Sequence, residues 1–381
     1  MFNFITPGRI IFGKQSIGQL GVEAAKFGRD AMLVTGVSAL RKLKVLDRVE
    51  EDLKKSGIKV FLFDKVKGEP DLEIIEECRD LAKKNKVDML IGLGGGSVID
   101  TAKAVAGLYN EKGSCREYQK GRKIEKCGIP FIAVPTVAGS GSEVTYNAVI
   151  LDREDKIKRS LRDFSLIAKL VIIDPLLSVS VPTQVKIRSG IDALIHAIEG
   201  YTSLKANQLT NSLALSAVNL IYTNIREVAY EENNIPVHGH MSLGTLKAGM
   251  VVANAGLGAI HGIAASLGAY FEIPHGLACA VLLPKVLEFN KNVCGLQYYH
   301  LLQALGEHAE NLSINEVSDN FIVIIEKLML DLKIHFHIER FEISEEDVLS
   351  IAKNCSTSIN FNPKELKKED IIDIINSVLC K

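Results

Sequence analysis

The sequence predicts an α/β amino-terminal domain built on a parallel sheet, followed by an all-helical domain, and three observations carry that expectation. Short apolar runs alternate with amphipathic segments from Asp30 to about Asp174, the strand pattern then stops, and from Pro182 the chain reads as helix after helix. With 381 residues the chain exceeds the size at which a single core stops growing, about 250–300 residues, so two lobes with a cleft between them are expected. The boundary falls near residue 180, giving an α/β domain over 1–180 and a helical domain over 181–381.

Taken in order, DAMLVTG (Asp30–Gly36) is the first expected strand, followed by a helical stretch to about Lys55 and a second strand in KVFLFD. LEIIEECRDLAKKNK has helical spacing, and VDMLIGL is again a strand. IPFIAVPT (Ile129–Thr136) and KLVIIDP (Lys169–Pro175) are rich in β-branched residues and stop at Pro or Thr, as buried strands do. Between them, Asp152 to Ser165 is charged at its start and of mixed character, which fits either a hairpin or an insertion. Beyond Pro182 the expected helices are VKIRSGIDALIHAIEGYTS, QLTNSLALSAVNLIYTNIREVAYEE and GTLKAGMVVANAGLGAIHGIAASLGAYF.

Composition narrows the function. The chain is 47% hydrophobic and 24% charged with a net charge of -1, so no basic field attracts nucleic acid or anionic lipid. Seven cysteines (Cys78, Cys115, Cys127, Cys279, Cys294, Cys355, Cys380) are scattered without a CxxC pair. That usage suits a reducing compartment and inert thiols, and it argues against a cysteine-ligated metal. The start, MFNFITPGRIIFG, has no basic segment leading into an apolar one, and no later run reaches about 18 uninterrupted apolar residues; a cytoplasmic protein with no membrane partner is expected.

Two loops look built for a ligand. VDMLIGL ends at Gly94-Gly95-Gly96-Ser97 and the helix pattern VIDTAKAVAGLY begins at once, so backbone N–H groups of a new helix are open to a phosphate. A tight strand-to-helix turn without a ligand uses the same residues. The usual dinucleotide fingerprint would place G-x-G-x-x-G after the first strand, where only Gly36 stands, so a dinucleotide must be held differently. The second loop, from Pro135 to Thr145, offers small residues and the hydroxyls of Thr136, Ser140 and Thr145 for phosphate, ribose or carboxamide.

A metal constellation lies downstream. Asp192 and His196 are four apart in IDALIHAIE and share one helix face; His261 sits in an apolar helix, and His275 follows Pro274 at the expected start of another. Each alone suits a buried residue bonded to a carbonyl, but three imidazoles and a carboxylate together suit Fe²⁺ or Zn²⁺. The other histidines read as bland: His238 and His240 in a polar stretch, His300 and His308 in a helix, His335 and His337 on a surface strand or loop.

GGGSVID, PTVAGSGSEVT, GIDALIHAIEGY and NAGLGAIHGIAASLGAYFEIPHGLACAVLLP together resemble the iron-dependent (group III) alcohol dehydrogenase family, related in fold to glycerol dehydrogenase and dehydroquinate synthase; the resemblance runs from about residue 5 to the C-terminus. It implies a metal-dependent enzyme that moves a hydride between NAD(H) or NADP(H) and a small alcohol or aldehyde, assembled as a homodimer or larger. It further implies that Asp192, His196, His261 and His275 hold the metal and that Gly95, Gly96, Ser97, Thr136 and Ser140 contact the cofactor. Asp100 matches an acidic position that fixes the glycine loop or touches the cofactor. Asn147, Lys158, Val252 and Leu257 match positions near the nicotinamide and substrate.

Two departures from the family pattern stand out. Relatives often carry a second His four residues after the third ligand as a proton relay, but Ala265 occupies that place, so the proton leaves through water, the cofactor ribose or another group. NAD-preferring relatives often end the first strand with Asp, and Gly36 stands here, which implies that NADP(H) is accepted or preferred. Dehydroquinate synthase chemistry needs a Lys and Arg cluster that the helices around Asp192 and His261 lack. A glycerol dehydrogenase-like enzyme uses three protein zinc ligands, and a non-catalytic metal or nucleotide sensor is the reading from another class.

Overall fold

The computed structural model describes residues 1–230, 234–310, 312–335 and 343–379. It divides into two compact units, Thr6–Val181 and Pro182–Lys381 together with Met1–Ile5. The first five residues group with the helical unit, where Ile5 N donates to Asn254 Oδ1 at 2.5 Å and Asn254 Nδ2 returns a bond to Ile5 O at 2.9 Å.

In the first unit a six-stranded, wholly parallel sheet carries β1 (Ile10–Phe12), β2 (Asp30–Gly36), β3 (Lys59–Val66), β4 (Met89–Gly94), β5 (Phe131–Pro135) and β8 (Leu170–Ile173), in the spatial order β1-β8-β5-β4-β2-β3. Every residue of β4 and β8 is buried, as strands sandwiched between helices require. The five strands expected from apolar runs are present; β1, at the edge beside β8, was not anticipated, because three residues show no periodicity. The short α1 (Leu20–Ala24) follows it. The helical stretch after β2 is two helices, α2 (Ala39–Lys42) and α3 (Val45–Lys55), split at Lys44, whose φ of 55° no α-helix permits. α4 (Leu72–Lys84) starts at Asp71, whose side chain accepts from Ile74 N at 2.9 Å. α5 (Gly96–Leu108) and α6 (Cys115–Gln119) complete the layers. The Asp152–Ser165 region resolves as a hairpin: β6 (Asn147–Asp152) pairs antiparallel with β7 (Ile157–Arg162).

Chain order reverses at β2: β3 lies on one side, and β4, β5 and β8 lie on the other. Ligands of open α/β sheets gather beyond the carboxyl ends of strands at such a switch. The strand ends meeting there are Gly36 and Gly94.

The second unit is helical: α7 (Thr183–Thr202), α8 (Gln208–Tyr230), α9 (Ile235–Ala255), α10 (Ala259–Phe271), α11 (His275–Ala304), α12 (Ile314–Asp331), α13 (Glu345–Lys353) and α14 (Lys368–Val378). The single long helix expected across Gly244–Phe271 is instead α9 and α10, bent by 98° at a break where Gly256 takes φ 72°. Among the described residues no single helix is long and apolar enough to cross a membrane.

Candidate metal centre and nucleotide loops

α7 brings Asp192, His196 and Glu199 to one face, four and then three residues apart. α10 contributes His261, and α11 begins at His275 with Pro274 as its cap. Gly276 lets α11 in close: a Cβ there would stand 2.6 Å from the Arg188 carbonyl oxygen on α7. His261 Nε2 lies 3.3 Å from Asp192 Oδ1, His275 Nε2 lies 3.8 Å from the same oxygen, and His196 Nε2 lies 3.8 Å from Asp192 Oδ2. The His196 and His261 rings stack at 4.6 Å, and those of His261 and His275 lie 5.4 Å apart.

The electrostatics suit a cation. Burial alone raises the Asp192 carboxyl, but the imidazoles of His196, His261 and His275 overcome it and hold that carboxyl below the usual carboxylate range. Burial, outweighing Asp192, pushes His196 down to about 4, so its ring is neutral and offers a lone pair. Asp192 Oδ1 and His261 Nε2 are buried and face each other without a hydrogen bond. Such orphaned atoms cost about 1–3 kcal/mol each, a cost that a divalent ion held by these residues would remove. The donor set therefore fits a metal.

Two residues of this cluster escaped the sequence reading. Glu199, buried, accepts from His261 Nδ1 at 2.6 Å and from Ile260 N at 2.6 Å, which leaves Nε2 as the ring atom facing Asp192. Its seven-residue spacing from Asp192 was the available signal. Cys279 overturns the expectation that no cysteine is near: its Sγ lies 3.7 Å from His275 Nε2, and one donor atom from each of Asp192, His261, His275 and Cys279 lies within 4.8 Å of the others. Cys279 stands one helical turn after His275, a spacing that per-residue counting of cysteines overlooked. Four of the remaining thiols fit the inert reading, since burial pushes Cys115, Cys294 and Cys355 up to about 12 and Cys78 higher still, whereas Cys127 is exposed. Cys380 and His337 lie outside the described residues.

Ala265, one turn beyond His261 in α10, carries no titratable group. Val252, near the end of α9, and Leu257, in the break before α10, are both partly buried. Among the other histidines, His238 and His240 lie within α9, and His238 is buried. His300 in α11 meets Tyr201 Oη at 2.7 Å through Nδ1, whereas His308 follows the end of that helix. His335 is exposed after α12.

In the first unit the glycine loop sits where the chain reverses. Gly95 caps α5 with extended backbone and no side-chain bond, leaving first-turn N–H groups of Gly96 and Ser97 available. The second loop is adjacent: Thr136 N donates to Gly94 O at 3.0 Å, and a Cβ on Gly96 would stand 2.6 Å from Ser140 Oγ. Asp100 is turned into the interior, accepting from Ser142 Oγ and from Val149 N at 3.0 Å. Thr145 is also spent inward, its hydroxyl bonded to Ser142 O at 3.2 Å. Asn147 opens β6, and the largely buried Lys158 side chain on β7 pairs with Glu69. Gly36 ends β2.

A parallel-sheet unit with an uncapped helix start at its switch point, joined in one chain to a helical unit holding a carboxylate–imidazole cluster, defines a nucleotide- and metal-dependent enzyme class. Residues 7–175 match the family described as iron-containing alcohol dehydrogenase, and residues 186–379 match the Fe-containing alcohol dehydrogenase family, C-terminal. The chain is 30% identical over 381 residues to an NAD-dependent methanol dehydrogenase of Bacillus methanolicus, covering 100% of both chains. It is 35% identical over 360 residues to long-chain-alcohol dehydrogenase 1 of Geobacillus thermodenitrificans, covering 92% of this chain and 91% of that one. A solved 1,3-propanediol oxidoreductase superposes with a TM-score of 0.95 at 30% identity, covering 99% of this chain and 100% of its own. The chain belongs to the iron-containing alcohol dehydrogenase family and is an alcohol/aldehyde oxidoreductase that uses a divalent metal and a nicotinamide dinucleotide.

Proposed function

We propose that this enzyme interconverts small aliphatic alcohols and aldehydes, with Asp192, His196, His261 and His275 holding Fe²⁺ or Zn²⁺ and the glycine loop with Thr136 and Ser140 holding the dinucleotide. The observation that carries the reading is the buried cluster in which Asp192 Oδ1 and His261 Nε2 stand 3.3 Å apart with no hydrogen bond. A divalent ion bound there supplies Lewis acidity to a substrate oxygen. Glu199 fixes the tautomer of His261 so that Nε2 keeps its lone pair. Partly buried Val252 and Leu257 favour an aliphatic substrate. Gly36 at the end of β2 presents no carboxylate to repel a 2′-phosphate, which favours NADP(H). Ala265 offers no titratable group, so the substrate proton leaves by water, the cofactor ribose or another group. The same reading expects an assembly of two or more copies in the cytoplasm.

His261→Ala is the test. Bound metal, read by atomic absorption, falls together with turnover while the circular dichroism spectrum stays that of the native protein. A metal-free variant that retains full turnover sinks the assignment.

A further inference from the structure

α5 carries Gly96, Asp100 and Lys103 four and then three residues apart, which stacks them along one face. The loop between β5 and β6 follows this row. Gly96 leaves room for Ser140, Asp100 receives Ser142 Oγ and Val149 N, and Lys103 meets the far end. Lys103 is fully buried, and its Nζ donates to Ser142 O at 2.6 Å, Asn147 O at 2.7 Å and Thr145 Oγ1 at 2.9 Å, with Ser142 Oγ at 3.2 Å. Asp100 Oδ1 completes the shell at 3.6 Å.

Burying an ammonium is costly unless every proton finds an acceptor, and an apolar side chain of similar length fills the same space at less cost. What an apolar chain cannot do is hold three loop oxygens at fixed points at once. Lys103 thereby ties residues 142–147 to the helix whose first turn is the glycine loop, so the two loops share one frame.

We propose that Lys103, with Asp100, is a positioning residue of the dinucleotide site: it sets the second loop against the glycine loop before the cofactor arrives. The proposal rests on the reading that these two loops hold the dinucleotide. Pre-setting a loop raises affinity because the ordering cost is met during folding rather than on binding.

The experiment compares Lys103→Met, the charge-neutral pair Asp100→Asn/Lys103→Met, and Gly96→Val in the metal-loaded enzyme. NADPH affinity is read by fluorescence, metal content by atomic absorption, and Tm by calorimetry. For both Lys103 variants the Kd and KM for NADPH rise about tenfold or more, whereas kcat at saturating NADPH stays within about threefold and metal content is unchanged. A purely structural role would instead lower Tm and metal content in step with affinity, and that result overturns the proposal. Folded Lys103 variants that bind NADPH like the parent, beside a Gly96→Val variant that binds it weakly, refute the positioning role alone. If folded Gly96→Val also binds like the parent, the loops are not the dinucleotide site and both readings fall. Failure of both Lys103 variants to fold overturns it too, since the cluster is then a requirement of the fold.

Discussion

Replacing Glu199 by Gln changes one oxygen into an NH₂ group at a site where two donors converge. The native carboxylate accepts from Ile260 N and His261 Nδ1, both at 2.6 Å and both buried. Glutamine offers a single acceptor oxygen. If that oxygen serves Ile260 N, the amide NH₂ faces Nδ1 and the imidazole must move its proton to Nε2, the atom proposed to hold the metal. If it serves His261, an N–H is left against an N–H. Changes to the carboxylate behind a ligating His typically lower metal affinity about 10–100-fold, or about 1.4–2.7 kcal/mol. The assay is metal retention against a graded chelator series in the folded protein, with Tm measured alongside. Parental metal affinity in a folded Glu199→Gln enzyme refutes the claim that Glu199 sets the tautomer of His261.

The remaining predictions concern pH and cofactor choice. Burial pushes Glu143 up to about 7 from its ordinary 4.5, so the folded state holds its proton more tightly than the unfolded chain, and stability falls as pH climbs from about 4.5 to about 7 before levelling off. Glu143→Gln removes that fall and gains at most about 3 kcal/mol over the parent at pH 8, with little difference at pH 4; identical pH–stability profiles in urea melts contradict it. For the cofactor, kcat/KM with NADPH equals or exceeds that with NADH, and a preference for NADH above about tenfold, or about 1.4 kcal/mol, overturns the reading of Gly36.

Strands β2, β4, β5 and β8 were legible because buried parallel strands are continuous apolar runs, and α4 because its apolar residues recur at helical spacing. β1 and the α9–α10 break were not: three residues carry no period, and a glycine in a helical pattern marks a bend only when packing uses it. Asp192 and His196 were visible through their spacing on one helix. Glu199 and Cys279 had the same helical spacing but belong to residue types that are more often solvated or inert. Lys103 carried no signal as a buried group, since a lysine at the middle of a helix ordinarily faces water.

The sequence by itself determined five of the six strands of the parallel sheet and the helical character of the chain beyond Pro182, that a phosphate-compatible turn opens α5, and that one carboxylate and three imidazoles are available. Those features depend on neighbours within a turn or a strand, where chain geometry fixes spacing. Only the tertiary structure decided that Cys279 joins the cluster, that Glu199 bonds His261, that Asp100 and Thr145 face inward, and that the buried Lys103 amine meets the second loop. These are contacts between residues 42 to 87 positions apart in most cases, such as Lys103 with Thr145 or Asp192 with Cys279, and no local periodicity encodes which of many polar side chains a packed core leaves facing one another.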